Sequence, residues 1–166
     1  MTKIVAIDPG ETTGIAVFDW DPAFPAETPV LVSKGETRFS PFPGAATRWL
    51  FTQWVKIIER DQHSILVVEN YRVYPSAAKA HIGNTIPTAE LIGALKGAAE
   101  LFVPPIKIAL VEPIEKHRWA PARRKAHGLP TGWFDGGPHI EDAVTLALTY
   151  IEKELQWTPT LPPATE

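Results

Sequence analysis

Three acids stand where a carboxylate is costly unless something answers its charge. Asp8 closes the apolar run Ile4-Val5-Ala6-Ile7, and Glu69 closes Ile65-Leu66-Val67-Val68, so each ends a buried strand. Asp142 lies in the second turn of a largely apolar helical stretch that begins near His139. Neighbouring strands run about 4.8 Å apart, so if the strand of Asp8 pairs beside that of Glu69, their carboxylates converge. His139 and Asp142 are three residues apart, hence on one helix face with Cβ atoms roughly 5–6 Å from each other. Together the four offer oxygen ligands for one or two hard divalent cations, Mg²⁺ or Mn²⁺, and a single imidazole. Each also has an ordinary reading: Asp8 before Pro9-Gly10 as a turn aspartate, Glu69 as a strand-edge residue, Asp142 as an acid favoured near a helix N-terminus, His139 as a surface histidine. Those readings leave unexplained why acids cap two separate apolar strands while a third faces an apolar helix.

The elements that must position these residues are legible from periodicity. Residues 3–8 and 14–19 read as strands joined by a tight turn through Pro9-Gly10, and 30–35 as a third, giving an antiparallel meander. A proline-broken loop separates the second and third. A helix is expected over 45–60, a buried strand over 65–69, and a loop over 70–84 that holds Tyr71, Arg72, Tyr74, Lys79 and His81. A second helix spans 88–102 and is ended by Pro104-Pro105; its small face, Gly93, Ala94, Gly97 and Ala98, suits either a subunit contact or close packing on its own sheet, the latter being the commoner use. A strand over 106–111 follows. The stretch 112–131 is basic and broken by Pro113, Pro121 and Pro130 into short helical pieces, after which Gly136-Gly137-Pro138 opens the last helix. Strands first and then alternating helix and strand predict an α/β fold, a mixed β-sheet flanked by α-helices, over residues 1–156, with a mobile proline-rich tail over 157–166.

The 166 residues suit one domain with a real core. Apolar residues make up 45% of them, but no run approaches the roughly 18 needed to cross a bilayer, and the apolar run at the start is too short for a signal peptide, so a soluble cytoplasmic protein is expected. With no cysteine, disulfides, thiolate metal sites and cysteine nucleophiles are excluded. The formal charge of −3 hides an asymmetry: residues 70–134 carry nine lysines and arginines against four acids, net +5, while the rest carries seven against fifteen, net −8. Such a division permits a basic face beside an acidic metal site, although a charge run is as often a solvated surface.

Three pieces in order, Ile4-Val5-Ala6-Ile7-Asp8-Pro9-Gly10 with Thr13-Gly14-Ile15-Ala16, then Val67-Val68-Glu69, then His139-Ile140-Glu141-Asp142-Ala143-Val144-Thr145-Leu146-Ala147, give the chain a family likeness. From residue 3 to about 152 it resembles the RuvC-like Holliday junction resolvases of the RNase H/retroviral-integrase superfamily, particularly the small versions of phages and bacteria. The resemblance implies an RNase H-like nuclease domain over 1–156 and a crossover junction endodeoxyribonuclease activity dependent on divalent metal. Asp8, Glu69, His139 and Asp142 would be its catalytic metal-binding positions, the family having an acid or a histidine where His139 stands. It also implies branched DNA, a four-way junction, as partner.

On that footing two ions, Mg²⁺ or Mn²⁺, would be shared through Asp8, with Glu69 and Asp142 on opposite sides and His139 as fourth ligand or aid to water activation. The DNA contacts would be Lys116, Arg118, Arg123, Arg124 and Lys125 with Arg72 and Lys79, while Tyr71 and Tyr74 are candidates to stack on bases. The two-fold symmetry of a junction calls for a homodimer. Two features depart from the family: the loop after Glu69 has no clear equivalent of the family's inserted aromatic, and the net charge is acidic where the cellular members are strongly basic. Alternatives on the same fold are a structure-selective nuclease for flaps, forks or RNA, and a non-catalytic DNA-binding protein. The segment 8–14 also loosely resembles the phosphate loop of sugar kinases, but those proteins close two domains over a nucleotide, so no nucleotide cofactor is expected.

Overall fold

The computed structural model of the chain describes residues 1–38, 64–70, 87–102, 105–157 and 159, apart from the side chains of Pro87, Ile114 and Lys116. In the first strand, β1 (Thr2–Asp8), every residue from Ile4 onward is buried, and the two parities go to different places. Ile4 and Ala6 join one core, Val5 and Ile7 another, because successive strand side chains point to opposite faces. β2 (Thr12–Trp20) divides the same way, Ala16, Phe18 and Trp20 against Val17, and so does β4 (Ser64–Glu69), Val67 against Leu66 and Val68. Two-sided burial is why these segments read as continuous apolar runs rather than alternating ones.

With β3 (Val30–Arg38) and β5 (Lys107–Val111) these form one sheet in the order β3-β2-β1-β4-β5. β1, β2 and β3 pair antiparallel, as the meander requires, while β4 and β5 run parallel to β1. The second core is closed by α1 (Pro87–Glu100) through Leu91, Ile92, Leu95, Ala98 and Ala99. The first is closed by α3 (Pro138–Glu154), buried at every position from Ala143 to Ile151. Burial of each large aliphatic side chain there contributes about 1.5–3 kcal/mol before ordering costs. α3 lies close to the sheet because the facing positions are small: Ala6, Ala16, Ala143 and Ala147 are all fully buried in the same cluster. A 3₁₀ segment (Pro113–Trp119), the short α2 (Pro121–Ala126) and a 3₁₀ turn (Thr131–Trp133) connect β5 to α3, the short helical pieces that the prolines predict.

Three expectations need adjustment. Gly93 and Gly97 do not pack on the sheet: both are exposed, and among the described residues a Cβ on either would meet nothing within 4 Å, so of the small face only Ala98 packs inward and the glycines look outward. Trp157, placed at the start of a mobile tail, is 2% exposed and stacks on Trp119 with ring centroids 5.4 Å apart. Its indole is held by the first core, so the folded unit includes it. β3 runs on to Arg38, three residues beyond its expected end, because it pairs with β2 from Asp19 back to Thr12. The helix expected over 45–60 lies outside the described residues. Among the described residues, no helix is long and apolar enough to cross a membrane.

Candidate active site

Parity decides where the strand-end acids point. Asp8 continues the series Ile4, Ala6, and Glu69 the series Ile65, Val67, so both carboxylates project on the side of the sheet covered by α3. The parallel register aligns Ile7 with Val68, which makes Asp8 and Glu69 lateral neighbours at adjoining strand ends. Asp8 is 7% exposed. The turn after it is pinned by Thr13, fully buried, whose hydroxyl donates to the Gly10 carbonyl (3.1 Å) and accepts from the Gly10 N–H (3.4 Å).

Gly14 then lets α3 reach the site. It pairs with Asp8 across β1 and β2, and a Cβ built on it would fall 1.8 Å from the carbonyl oxygen of His139 and 3.0 Å from the nitrogen of Ile140. The first turn of α3 thus rests directly on the β2 backbone, which only a residue without a side chain permits. Pro138 occupies the first turn, and the preceding Gly136 and Gly137 take φ values of +113° and +121°, a region other residues rarely adopt. Gly137 fills the N-cap without a side-chain hydrogen bond. Glu36, opposite Gly14 on β3, has its carboxylate close to Gly137, where a negative charge suits a helix N-terminus.

This approach brings His139 Nδ1 to 3.1 Å from Asp8 Oδ2. An ionised carboxylate only accepts, so Nδ1 carries the hydrogen and, in the neutral ring, Nε2 keeps its lone pair. Asp8, Glu69, His139 and Asp142, with Pro9, Gly10 and Thr88, line a single cavity of about 220 Å³. All four acid and imidazole residues singled out from the sequence therefore face one space. Three carboxylates and one imidazole are the donor types that hard divalent cations take, so the residues fit such a group. Among the described residues, however, no three His, Asp or Glu side chains are already clustered as a ready-made metal site.

The basic residues fare differently. Arg124 turns inward: its guanidinium donates to Glu141 Oε1 (2.6 Å), to Thr145 Oγ1 (3.1 Å) and to the Trp119 carbonyl, and lies 4.0 Å over the Phe134 ring. Arg123 bonds Glu152 at 2.6 Å and covers the Trp119 ring, and Arg118 bonds the same Glu152 at 3.0 Å. Lys125 is exposed. Tyr71, Arg72, Tyr74, Lys79 and the Lys116 side chain lie outside the described residues.

Sequence reasoning missed Thr88, which reaches the cavity from the first turn of α1, and Lys34, whose ammonium donates to the Asp135 carbonyl (2.6 Å) and to that of Gly132. Neither carries a local signal. Gly14 does carry one, because an isolated glycine inside a strand pattern signals close backbone approach.

No protein-family model and no curated protein matches the chain. Solved structures do. RuvC of T. thermophilus in complex with a Holliday junction substrate superposes with a TM-score of 0.67 over 98% of this chain and 100% of its own, at 17% identity. The fowlpox virus resolvase, in complex with its substrate Holliday junction DNA, gives 0.56 over 93% and 99%, at 15% identity. The yeast mitochondrial Holliday junction resolvase gives 0.58 over 94% and 78%, at 10% identity. The five-stranded mixed sheet with its flanking helices is therefore the RNase H-like fold that the RuvC-type Holliday junction resolvases share.

Proposed function

We propose that this protein is a divalent-metal-dependent endonuclease that resolves four-way DNA junctions. The observation that carries the reading is the convergence of Asp8, Glu69, His139 and Asp142 on one cavity at the ends of β1 and β4, on a fold shared with junction resolvases. Asp8, Glu69 and Asp142 would hold the metal, proposed as two ions of Mg²⁺ or Mn²⁺, with His139 as the remaining ligand. Bound there, such ions supply a water made nucleophilic and a sink for charge on the leaving 3′ oxygen.

The chain's own residues do the rest. Asp8, the most enclosed of the four, holds His139 in one tautomer through Nδ1, so that Nε2 is left to bind a cation or take a proton from water. The pinned turn at Gly10 and Thr13 keeps the Asp8 carboxylate fixed. Thr88 offers a hydroxyl at the cavity wall, where a phosphate oxygen can accept from it.

DNA would be gripped by Lys125 and by Arg72, Lys79, Tyr71 and Tyr74 of the stretch that follows Glu69 in sequence. Two matched cuts call for a homodimer, and the outward glycines of α1 offer a surface that a second copy can approach closely. Sedimentation of a single monomeric species at micromolar concentration would remove the dimer from this reading. The nuclease itself is tested by Mn²⁺ and Mg²⁺ cleavage of a synthetic four-way junction, with linear duplex as control and Asp8→Asn alongside. Paired nicks near the branch point, lost in Asp8→Asn, are the expected result; equal cleavage of linear duplex, or activity retained by Asp8→Asn, sinks it.

A further inference from the structure

The start of α3 carries His139 and leads to Asp142, yet its own sequence does little to fix it. The N-cap is a glycine without a side-chain bond, and two consecutive glycines at positive φ link the helix to the loop before it. Glycine has the widest backbone freedom of any residue, so local conformation alone restrains this link weakly. Two of the contacts made by the preceding loop tie it to the sheet. Trp133 sits edge-on to Phe18 of β2, centroids 5.2 Å apart, which seats the 3₁₀ turn on the sheet. Lys34, from the edge strand β3, donates to the carbonyls of Gly132 and Asp135, on either side of the end of that turn.

Carbonyls at the end of a helical turn lack intrahelical donors, and a cation there satisfies both their lone pairs and their partial negative charge. A tetrahedral ammonium with three donors can serve two carbonyls at once, and such charge-assisted bonds are stronger than neutral ones. Lys34 pairs with Ala16 on β2, two residues along the strand from Gly14, so its anchor point belongs to the same sheet segment on which His139 rests.

We propose that Lys34 is a positioning residue for the cleavage chemistry: by tying the Gly132 and Asp135 carbonyls to β3 it fixes the start of α3, and so holds His139 on Asp8. The inference rests on the nuclease reading for its catalytic consequence but not for its structural one. It is tested with Lys34→Met, Lys34→Arg, His139→Ala and the Lys34→Met/His139→Ala double variant, using hydrogen exchange alongside single-turnover junction cleavage and junction affinity.

In Lys34→Met, amide exchange should quicken over 131–142 while β1 and β4 keep wild-type protection. The cleavage rate should fall by about ten- to a hundredfold at unchanged junction affinity, as a small misplacement of a catalytic group does. Lys34→Arg, which can still serve both carbonyls, should recover most of the rate. In the His139→Ala background the same Lys34→Met change should cost less than about twofold, because the residue through which Lys34 acts is already gone. Unchanged exchange over 131–142, or an equal cost with and without His139, overturns the proposal; a merely structural lysine gives the latter. Where Lys34→Met does not fold, Lys34→Gln, keeping one donor, takes its place in every arm. A wild-type protein that cleaves no branched DNA defeats the nuclease reading alone, and the exchange comparison then decides whether Lys34 holds the α3 start.

Discussion

Along α3 charge is handled in two opposite ways. At its N-terminal end the helix brings Asp142 and His139 to Asp8 and Glu69, so three groups of like charge line one cavity. Along another side Glu141 and Glu152 collect the guanidinium groups of Arg124, Arg123 and Arg118, so opposite charges meet. Gathered like charges raise the energy of the fold unless a cation joins them. Gathered opposite charges complete each other and ask for nothing further. The proposed metal would make the first arrangement a ligand site, whereas the ion pairs already make the second part of the architecture, although the sequence presents both simply as runs of ionisable residues.

The sharpest break of this comparison is made at the acidic end. Asp8→Asn keeps size and hydrogen-bonding capacity but removes the most buried charge of the four, and junction cleavage should drop by roughly a thousandfold or more with affinity for the junction retained. Gly14→Ala asks for the next largest effect, through geometry rather than charge. The added methyl cannot share space with the His139 carbonyl, so α3 must lift at its start, with about 1–3 kcal/mol lost in stability and about a hundredfold in cleavage rate. Gly35→Ala is the control, since among the described residues a Cβ there meets nothing within 4 Å; thermal melts and cleavage should change little, or stability rise by about 0.5–1 kcal/mol. Equal effects at Gly14 and Gly35 would break the account of how α3 docks.

How much of this was legible follows from which forces act locally. The strand-end acids could be read because burial on both faces makes β1 and β4 continuous apolar runs, and strand periodicity then fixes the side on which Asp8 and Glu69 emerge. The parallel neighbourhood of the two strands was legible only as a condition, since pairing is a long-range choice. His139 and Asp142 could be placed on one face by helical spacing alone. The partners of Arg118, Arg123 and Arg124 could not: Glu152 is 29 residues from Arg123 and Glu141 is 17 from Arg124, and sequence records a charge but not what neutralises it. Lys34 was invisible for the same reason, its carbonyl partners lying 98 and 101 residues away. Trp157 was misplaced because neighbouring prolines speak for a loop, while the stacking partner that holds the indole, Trp119, is distant.

The smaller effects test the other side of the helix, and they should separate two adjacent cations. The Arg124 side chain is 13% exposed and its bonds go to Glu141, Thr145 and the Trp119 carbonyl, so Arg124→Met should lower unfolding free energy by about 1–3 kcal/mol while leaving the salt dependence of junction binding alone. Lys125, exposed on the same short helix, should behave in reverse. If it neutralises one phosphate, Lys125→Ala removes about 0.9 from the slope of log affinity against log salt and leaves the melting transition where it was. The pair is decisive because formal charge is identical in the two variants. Any difference between them must come from whether the positive group was already committed to α3 before DNA arrived. Matching salt slopes in both would show that the ion pairs on α3 open to let Arg124 reach phosphate, and the division of α3 into an architectural side and a proposed metal-binding end would no longer hold.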